Sequence, residues 1–455
     1  MLIRFNVENF LSFDDNQEFS MIAGKTRSNS DRLYVDDSLK LIKFAAIYGA
    51  NASGKSNLIK AIDFARTIIV NKIPAQSIVS FAKVNKLNKT RESSFEFEIE
   101  LKGKYYAYGF DILLSEQAIK SEWLYEITKT STKEIFKRNT KNGEYSINEY
   151  FKNKDLINKL EVFIDVIKDD ESALFLHDIN LKKDSLYKEF SECSVLKEVY
   201  LWFLKKLDVN YANRPLKNSY NNIFDENVSC KIENYLKIFG TGINKVITHE
   251  VTREEIKEAL PQGLIENIIE DLHVAENKNI IDKRILLNLR GEGFFLFELK
   301  DDGTIVYKTL QFNHGDNDLA FLLSEESDGN QRLMELLSVL LSEEDGKVFV
   351  IDEIDRCLHP LLTKKYVSTF LEIAKKKNIQ LIVTTHESQL MDFNLLRKDE
   401  IWLLNKDNKG KTKVYSMDEF NERFDKKIIK SYLAGRYGGI PEFHKNLLNE
   451  EPCEE

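Results

Sequence analysis

The segment Gly49–Ser56 carries the clearest chemistry in the chain, with the sequence Gly-Ala-Asn-Ala-Ser-Gly-Lys-Ser. Its two glycines let backbone N–H groups converge on phosphate oxygens, and a following helix would direct its positive end toward them. Lys55 supplies a point charge for the outer phosphates, and Ser56 offers a hydroxyl to Mg²⁺. The segment therefore predicts a phosphate-binding loop whose nucleotide contacts are Gly49, Asn51, Ala52, Ser53, Gly54, Lys55, Ser56 and Asn57.

Two adjacent carboxylates, far along the chain from this loop, form the second candidate. Asp352 and Glu353 follow the apolar run Val348–Ile351, which predicts a buried strand. Open α/β sheets bind ligands at the carboxyl ends of their strands. We therefore expect Asp352 to hold Mg²⁺ together with Ser56, and Glu353 to polarise an attacking water.

Two further candidates, a serine–glycine motif and a histidine, occupy notable places in the chain. Ser327 and Gly329 stand at the start of a helix predicted over Gln331–Leu341, and His386 ends the apolar run that begins at Leu381. Taken alone, Ser327 is an ordinary helix N-cap and a lone histidine at a strand end is structural. Because they occur in one chain with the loop and the two carboxylates, we keep both as candidates for a functional role.

The surrounding elements predict an α/β fold. An apolar strand precedes the loop and a helix over Ser56–Val70 follows it, which is the context such a loop needs. Residues 95–113 alternate as a hairpin that turns at Gly103, and strands return after residue 285. Between them, Lys, Glu, Asn, Leu and Ile recur at helical spacing. We predict a nucleotide-binding head made of residues 1–147 and 285–455, interrupted by a helical insertion over 148–284.

Composition limits the classes of protein to consider. The chain has 455 residues, 42% of them apolar, and a net charge of −9. The negative net charge argues against a protein dedicated to binding nucleic acid, but it does not exclude a local track of basic residues. Four scattered cysteines, no signal peptide and no long apolar run indicate a cytoplasmic protein without a membrane span.

The order of these motifs resembles the heads of ABC-type ATPases, in particular the SMC and RecF group. Ser327 and Gly329 match the serine and second glycine of the family's signature motif. Asp328 and Asn330 depart from the usual glycine and glutamine, as they do in the chromosome-maintenance branch. The fold implied is a P-loop NTPase with an ABC/SMC-head-like mixed sheet.

A narrower resemblance rests on Glu325–Leu333 and on the C-terminal segment Tyr432–Pro441. Both are similar to a bacterial class of ABC-like AAA ATPases encoded in phage-defence loci, such as the ATPase subunits of PARIS and RloA-type systems. This resemblance extends over both ends of the chain and hardly at all over the predicted helical insertion between them. It implies a sensor or regulatory subunit in defence against phage.

The resemblance also implies a mechanism and partners. Ser327 and Gly329 would contact ATP bound by a second subunit, and His386 would contact its terminal phosphate. A head-to-tail homodimer, or a higher homo-oligomer, would then form with MgATP between the heads, and slow hydrolysis would release it. Too few residues follow His386 for a fused Toprim domain, so any nuclease is expected to be a Toprim-like effector from the same operon.

Other readings remain. A RecF-like or SMC-like repair or maintenance ATPase would use the same site and bind DNA. A nucleotide-gated scaffold that sequesters a toxic effector overlaps with the defence reading. A hexameric AAA+ motor is disfavoured by the long separation of Lys55 from Asp352, and a transporter ATPase by the long insertion and the altered signature.

Overall fold

The structure is a computed structural model, and it describes residues 1–36, 39–147, 150–181, 184–211, 223–277, 283–289, 293–315, 320–420 and 428–440. The strands in these ranges are β1 (Leu2–Glu8), β2 (Gln17–Ser20), β3 (Tyr34–Val35), β4 (Lys40–Leu41), β5 (Phe44–Gly49), β6 (Ser93–Leu101), β7 (Lys104–Leu113), β8 (Ala118–Ile127), β9 (Thr132–Asn139), β10 (Glu144–Ser146), β11 (Leu207–Asn210), β12 (Ile243–Val251), β13 (Arg284–Leu289), β14 (Gly293–Leu299), β15 (Ile305–His314), β16 (Ala320–Leu322), β17 (Val348–Ile351), β18 (Gln380–Thr384), β19 (Ile401–Lys406) and β20 (Thr412–Ser416).

The α-helices in the same ranges are α1 (Lys55–Val70), α2 (Lys154–Ile167), α3 (Phe175–Asn180), α4 (Asp184–Glu189), α5 (Ser194–Leu201), α6 (Glu226–Ile238), α7 (Arg253–Ala259), α8 (Gln262–Asn277), α9 (Asp328–Leu341), α10 (Pro360–Ala374) and α11 (Ile428–Leu433). None of the helices in the described ranges combines the length and the apolar character needed to span a bilayer.

The chain divides into two compact units. Unit 1 comprises the described residues of Met1–Val209, Glu344–Asp352 and Ala374–Glu455, and unit 2 those of Asn210–Glu343 and Glu353–Ile373. The domain boundaries predicted after residues 147 and 284 stay a prediction.

Unit 1 contains a six-stranded sheet in the order β11-β17-β18-β5-β19-β20. The strands β17, β18, β5 and β19 run parallel, and β20 returns antiparallel to β19. Every residue of β5, β17 and β18 is buried, as expected for parallel strands covered on both faces. Because these strands run the same way, their carboxyl ends meet at one edge, which is where the loop after β5 begins.

A seven-stranded antiparallel sheet completes unit 1, in the order β10-β9-β8-β7-β6-β1-β2. Its strands alternate buried and partly exposed residues, so one face joins the core. Phe5 and Phe97, paired across β1 and β6, bring their rings to 4.6 Å on that face. The predicted hairpin over 95–113 is confirmed, with Gly103 at a φ of 78° in its turn.

Unit 2 contains an antiparallel sheet in the order β12-β15-β14-β13, with β16 added to β15. Apolar side chains of α7 and α8, among them Ile256 and Leu272, pack on Phe297 and Tyr307 of the sheet. Helix α9 belongs to the same unit, and the carbonyl oxygen of its Leu336 accepts a 2.8 Å hydrogen bond from the Tyr366 hydroxyl of α10.

The predicted α/β fold class is confirmed, with parallel and antiparallel sheets and helices in both units. The segment predicted as a helical insertion over 148–284 is less uniformly helical than predicted. Arg253–His273, predicted as one helix, breaks between α7 and α8 at Pro261, because a proline ring cannot continue the helix before it. The helix predicted over 183–207 is divided among α4, α5 and a π-helical turn over Trp202–Lys206, and β12 was not predicted.

Candidate nucleotide site

The phosphate-loop sequence forms a tight connection between β5 and α1. Its backbone enters the left-handed region at Ala52 (φ 63°) and at Gly54 (φ 109°). A Cβ atom at Gly54 would lie 2.6 Å from the Thr412 hydroxyl oxygen, so a glycine is required there for space as well as for φ. Helix α1 then begins at Lys55, which puts its N-terminal N–H groups at the loop.

The Lys55 side chain folds back over the loop. Its Nζ donates hydrogen bonds to the carbonyl oxygens of Gly49 at 2.8 Å and Ala50 at 3.2 Å, and the residue is buried. A buried ammonium requires acceptors, and here the loop backbone provides them. The charge is thus held directly above the loop, where phosphate oxygens could serve as further acceptors.

Asp352 meets the loop at the carboxyl edge of the parallel sheet. One of its carboxylate oxygens, Oδ1, accepts hydrogen bonds from the Ser56 hydroxyl at 3.2 Å and from the Thr384 hydroxyl at 2.6 Å. Asp352 follows β17, Thr384 ends β18, and Ser56 lies in the first turn of α1. The two predicted metal ligands, Ser56 and Asp352, are therefore in direct contact.

The chemistry of these groups fits Mg²⁺. A carboxylate and two hydroxyls are hard oxygen donors, the type that Mg²⁺ prefers. Within the described ranges, no three His, Cys, Asp or Glu side chains cluster as a complete protein cage would require. Mg²⁺ is commonly bound by one or two carboxylates together with phosphate oxygens of a substrate. The hydroxyl of Ser53, also in the loop, is buried and has no hydrogen-bond partner among the described residues.

The hairpin formed by β19 and β20 supports the loop from the other side. The Thr412 hydroxyl donates a 2.8 Å hydrogen bond to the Ser53 carbonyl oxygen and lies 2.8 Å from the Ser12 hydroxyl. Ser12 in turn accepts a 2.8 Å bond from the Asn57 side-chain amide of α1. The hairpin and the loop residues Ala50–Ser53 line a cavity of 990 Å³.

Charged contacts hold the turn of this hairpin. The ammonium of Lys411 contacts Asp14 and lies 3.3 Å from a carboxylate oxygen of Asp15. Burial alone would raise the pKa of Asp14, but hydrogen bonds from Lys411 and Asn88 outweigh it and lower the pKa below its ordinary value. Hydrogen bonds to the carboxylates of Asp14 and Asp15 raise the pKa of Lys411.

Glu353 and His386 follow the ends of β17 and β18. Glu353 comes directly after Asp352, is partly exposed, and has a φ of 51°, which is uncommon for a residue other than glycine. His386 is exposed two residues beyond the end of β18. Glu353 is thus the residue after Asp352, and His386 is the second residue after Thr384. Their proposed catalytic roles stay predictions.

Ser327 and Gly329 lie in unit 2, at the N-terminus of α9. The Ser327 hydroxyl accepts a 3.2 Å hydrogen bond from the Asn330 backbone N–H, so it caps the helix as the structural reading foresaw. Ser327 is nevertheless exposed, whereas Glu326 before it is buried. A Cβ atom at Gly329 would lie 3.0 Å from the Cys357 carbonyl oxygen, a close backbone approach within this unit.

Comparison with known families identifies the chain. A family model described as "AAA domain, putative AbiEii toxin, Type IV TA system" matches residues 44–392, a range that starts in β5 and ends beyond His386. The chain belongs to this family. As an AAA-domain protein, it stands among the ATP-binding P-loop ATPases.

Solved structures similar to this AAA-domain protein include SMC heads. The SmcHead bound to the C-winged helix domain of ScpA shares 14% identity with this chain. The alignment covers 91% of this chain and 97% of the SmcHead chain, with a TM-score of 0.42. The SMC head domain from Thermotoga maritima also shares 14% identity over 91% of this chain and 98% of its own, with a TM-score of 0.37. A search of curated proteins found no match.

Three residues of the site were not predicted from the sequence of the AAA-domain protein. Thr384 could have been found, because it is a hydroxyl at the end of a buried strand that precedes the candidate His386. Ser12 and Thr412 could not, because they are 400 positions apart and only the fold brings them together.

Proposed function

We propose that this AAA-domain protein binds and hydrolyses ATP with Mg²⁺. The observation that carries the proposal is the direct contact of Ser56 with Asp352, 3.2 Å between hydroxyl and carboxylate oxygens. This contact brings together the two predicted metal ligands, which are far apart in the sequence. They lie beside the loop, whose carbonyl oxygens accept hydrogen bonds from Lys55. This is the arrangement that positions a triphosphate for in-line attack.

The proposed roles follow from position. Backbone N–H groups of the loop and the Lys55 ammonium bind the phosphates. Ser56 and Asp352 would hold Mg²⁺, which would neutralise charge on the outer phosphates. Glu353 accepts a proton from water as the water oxygen bonds to the terminal phosphorus. The bond from that phosphorus to the bridging oxygen breaks, and ADP leaves with the electron pair. His386 contacts the terminal phosphate.

We further propose that ATP joins two chains. The chain has one copy of each motif, and Ser327 and Gly329 would complete a nucleotide site on a second copy. A head-to-tail pair places two such composite sites symmetrically. Hydrolysis removes the terminal phosphate from the contact with Ser327 and loosens the pair, so the reaction acts as a switch.

The proposed biological setting is a defence system. The family description names a putative AbiEii toxin and a type IV toxin–antitoxin system. The segments Glu325–Leu333 and Tyr432–Pro441 resemble ATPase subunits of phage-defence loci, although the last residue of the second segment lies outside the described residues. We propose a cytoplasmic sensor or regulatory subunit that controls an effector, such as a Toprim-like nuclease from the same operon.

Copurification and nucleotide turnover together test this setting. The protein is expressed from its native operon with an affinity tag, and the wild type is compared with Lys55→Ala. The proposal predicts slow ATPase activity and an effector that copurifies with the wild type in a nucleotide-dependent manner. If the protein hydrolyses ATP but no other product of the operon copurifies with it, with or without nucleotide, the regulatory role would be contradicted.

A second candidate function, DNA maintenance, is favoured by one local feature. Lys406, Lys409 and Lys413 of the β19–β20 hairpin are exposed and have no ion pair among the described residues, although the chain as a whole carries a charge of −9. Such a basic tip suits phosphate backbones. DNA-stimulated ATPase activity that falls with added salt, and that a triple Lys→Glu variant loses, would favour this alternative over the defence role.

A further inference from the structure

The segment that precedes the exposed Ser327 is held by a buried carboxylate. Glu326 is only 8% exposed, and a charged group so far removed from water needs strong partners. The structure gives it two through its side chain. The ring nitrogen Nε2 of His314 lies 2.6 Å from Oε1, and the Asn330 side-chain amide donates a 2.8 Å bond to Oε2.

The two partners come from different elements. His314 is the last residue of β15, while Asn330 lies in the first turn of α9. The Gln331 side chain adds a 2.8 Å bond to the Glu326 carbonyl oxygen, and the Asn330 backbone N–H is the donor that Ser327 caps. The carboxylate of Glu326 therefore connects the sheet of unit 2 to the turn that presents Ser327.

The direction of this hydrogen bond follows from the partner of His314. An ionised carboxylate only accepts hydrogen bonds, so the Nε2–H group of His314 is the donor and Oε1 of Glu326 is the acceptor. The ring is kept in place by Phe321 of the neighbouring strand β16, whose ring meets it edge-on at 5.3 Å between centroids. The contact is short and links a partly exposed ring to a buried oxygen, as charge-assisted hydrogen bonds do.

We propose that His314 is a positioning residue for the signature segment Glu326–Asn330. It would hold Ser327 and Gly329 in the orientation that contacts the nucleotide of a second chain. The inference rests on the proposed function, because Ser327 matters in this way only if ATP joins two chains. His314 would not touch the nucleotide, so its loss should leave ATP binding to a single chain intact.

The variant His314→Phe keeps the ring and removes the donor, whereas His314→Gln restores an N–H that can reach a carboxylate. His249→Phe is the matched control, because His249 is an exposed histidine on β12 of the same sheet. Mg²⁺ with a slowly hydrolysed ATP analogue drives association, which is measured by sedimentation velocity. Titration of a fluorescent nucleotide at low protein concentration measures binding to single chains.

We expect His314→Phe to weaken analogue-driven association about tenfold or more, the range for loss of a hydrogen bond to a charged group. His314→Gln should recover most of the association, His249→Phe should match the wild type, and all four proteins should bind nucleotide equally as single chains. A purely structural role would lower thermal stability without this selective loss of association. If His314→Phe does not fold, Asn330→Ala removes the other donor to Glu326 and is judged by the same criteria.

The outcomes separate the two claims. If the wild type associates and a folded His314→Phe variant associates equally well, or, where that variant does not fold, Asn330→Ala does so, the positioning role is wrong and the proposed function stands. If the wild type binds nucleotide but never associates, the ATP-driven pairing itself is wrong, and the role of His314 falls with it.

Discussion

Individual side chains of the nucleotide site already make their key contacts within one chain. Lys55 lies over the carbonyl oxygens of its own loop, and Ser56 reaches Asp352 through a hydroxyl–carboxylate contact. Such preorganisation means that little rearrangement is needed when a triphosphate and Mg²⁺ arrive. Two predictions belong to this scale, one on binding and one on hydrolysis.

Replacing Lys55 by alanine should abolish nucleotide binding. The variant loses the one loop ammonium that faces the phosphates, and a charge-assisted contact in a buried setting is expected to change affinity by about 100-fold. Calorimetric titration with MgATP measures the loss. Lys60→Ala is the control, because Lys60 is an exposed residue on the same helix α1. ATP binding by Lys55→Ala at the parent affinity would contradict the assignment of the loop.

Replacing Glu353 by glutamine should separate binding from hydrolysis. The amide keeps the size of the side chain but cannot accept the proton of the attacking water, so kcat should fall by about 10² to 10⁴. ATP affinity should be retained, and ATP-bound dimers should accumulate. Phosphate release and gel filtration with MgATP measure the two effects, with Glu258→Gln, an exposed residue of α7, as the control. Hydrolysis at the parent rate would show that another group is the base.

At the scale of elements, the loop depends on partners that come from distant parts of the chain. The hairpin β19–β20 contacts the loop through Thr412. Ser12, in the turn after β1, contacts the same Thr412 hydroxyl. The parallel strands supply Asp352 and Thr384 from the opposite side. The loop is therefore fixed between a sheet edge and a hairpin that both belong to unit 1.

Thr412→Val should weaken nucleotide binding without removing it. Valine has nearly the same shape but leaves the buried Ser53 carbonyl oxygen without this hydrogen bond, which costs about 1–3 kcal/mol. We expect a fall in thermal stability and an ATP affinity lowered by about tenfold. Thr132→Val, the same change at an exposed threonine of β9, is the control for both measurements. A variant with unchanged affinity and stability would show that the hairpin does not support the loop.

The strand, loop and helix around Lys55 could be predicted from sequence because each signal is local. An apolar run predicts β5 and β17, and the glycine pattern predicts the turn between strand and helix. The strand β12 could not be recognised, because its stability comes from pairing with β15, far along the chain. Its residues Ile243–Val251 bury only two side chains, so they give little alternation to detect.

The same distinction applies to the site. Ser56 and Asp352, which the structure brings into contact, could be proposed from sequence because each lies in a characteristic local pattern, and their role as metal ligands stays a prediction. The support from Thr412 and Ser12, and the contact of His314 with Glu326, depend on side chains whose proximity no local pattern encodes. The ordinary capping role of Ser327 was foreseen and is confirmed. Its proposed action on a second chain stays a prediction.

At the scale of the whole molecule, we propose that one chain is half of a functional unit. Each chain carries one phosphate loop and one signature segment, and these belong to different compact units. If the pair forms head to tail, a chain with a defective loop can still offer its signature segment to a neighbour. A chain with a defective signature segment can likewise still bind ATP.

Mixing two inactive variants tests this claim most directly. Lys55→Ala and Ser327→Arg are each expected to lack ATPase activity, because every site in either homodimer is damaged. When they are mixed, the hybrid dimer has one site made of the intact loop of the Ser327 variant and the intact Ser327 of the Lys55 variant. We expect the equimolar mixture to regain about a quarter of the wild-type activity if chains pair at random and sites act independently. A mixture as inactive as its components, under conditions in which the wild type pairs and hydrolyses ATP, would contradict action between chains.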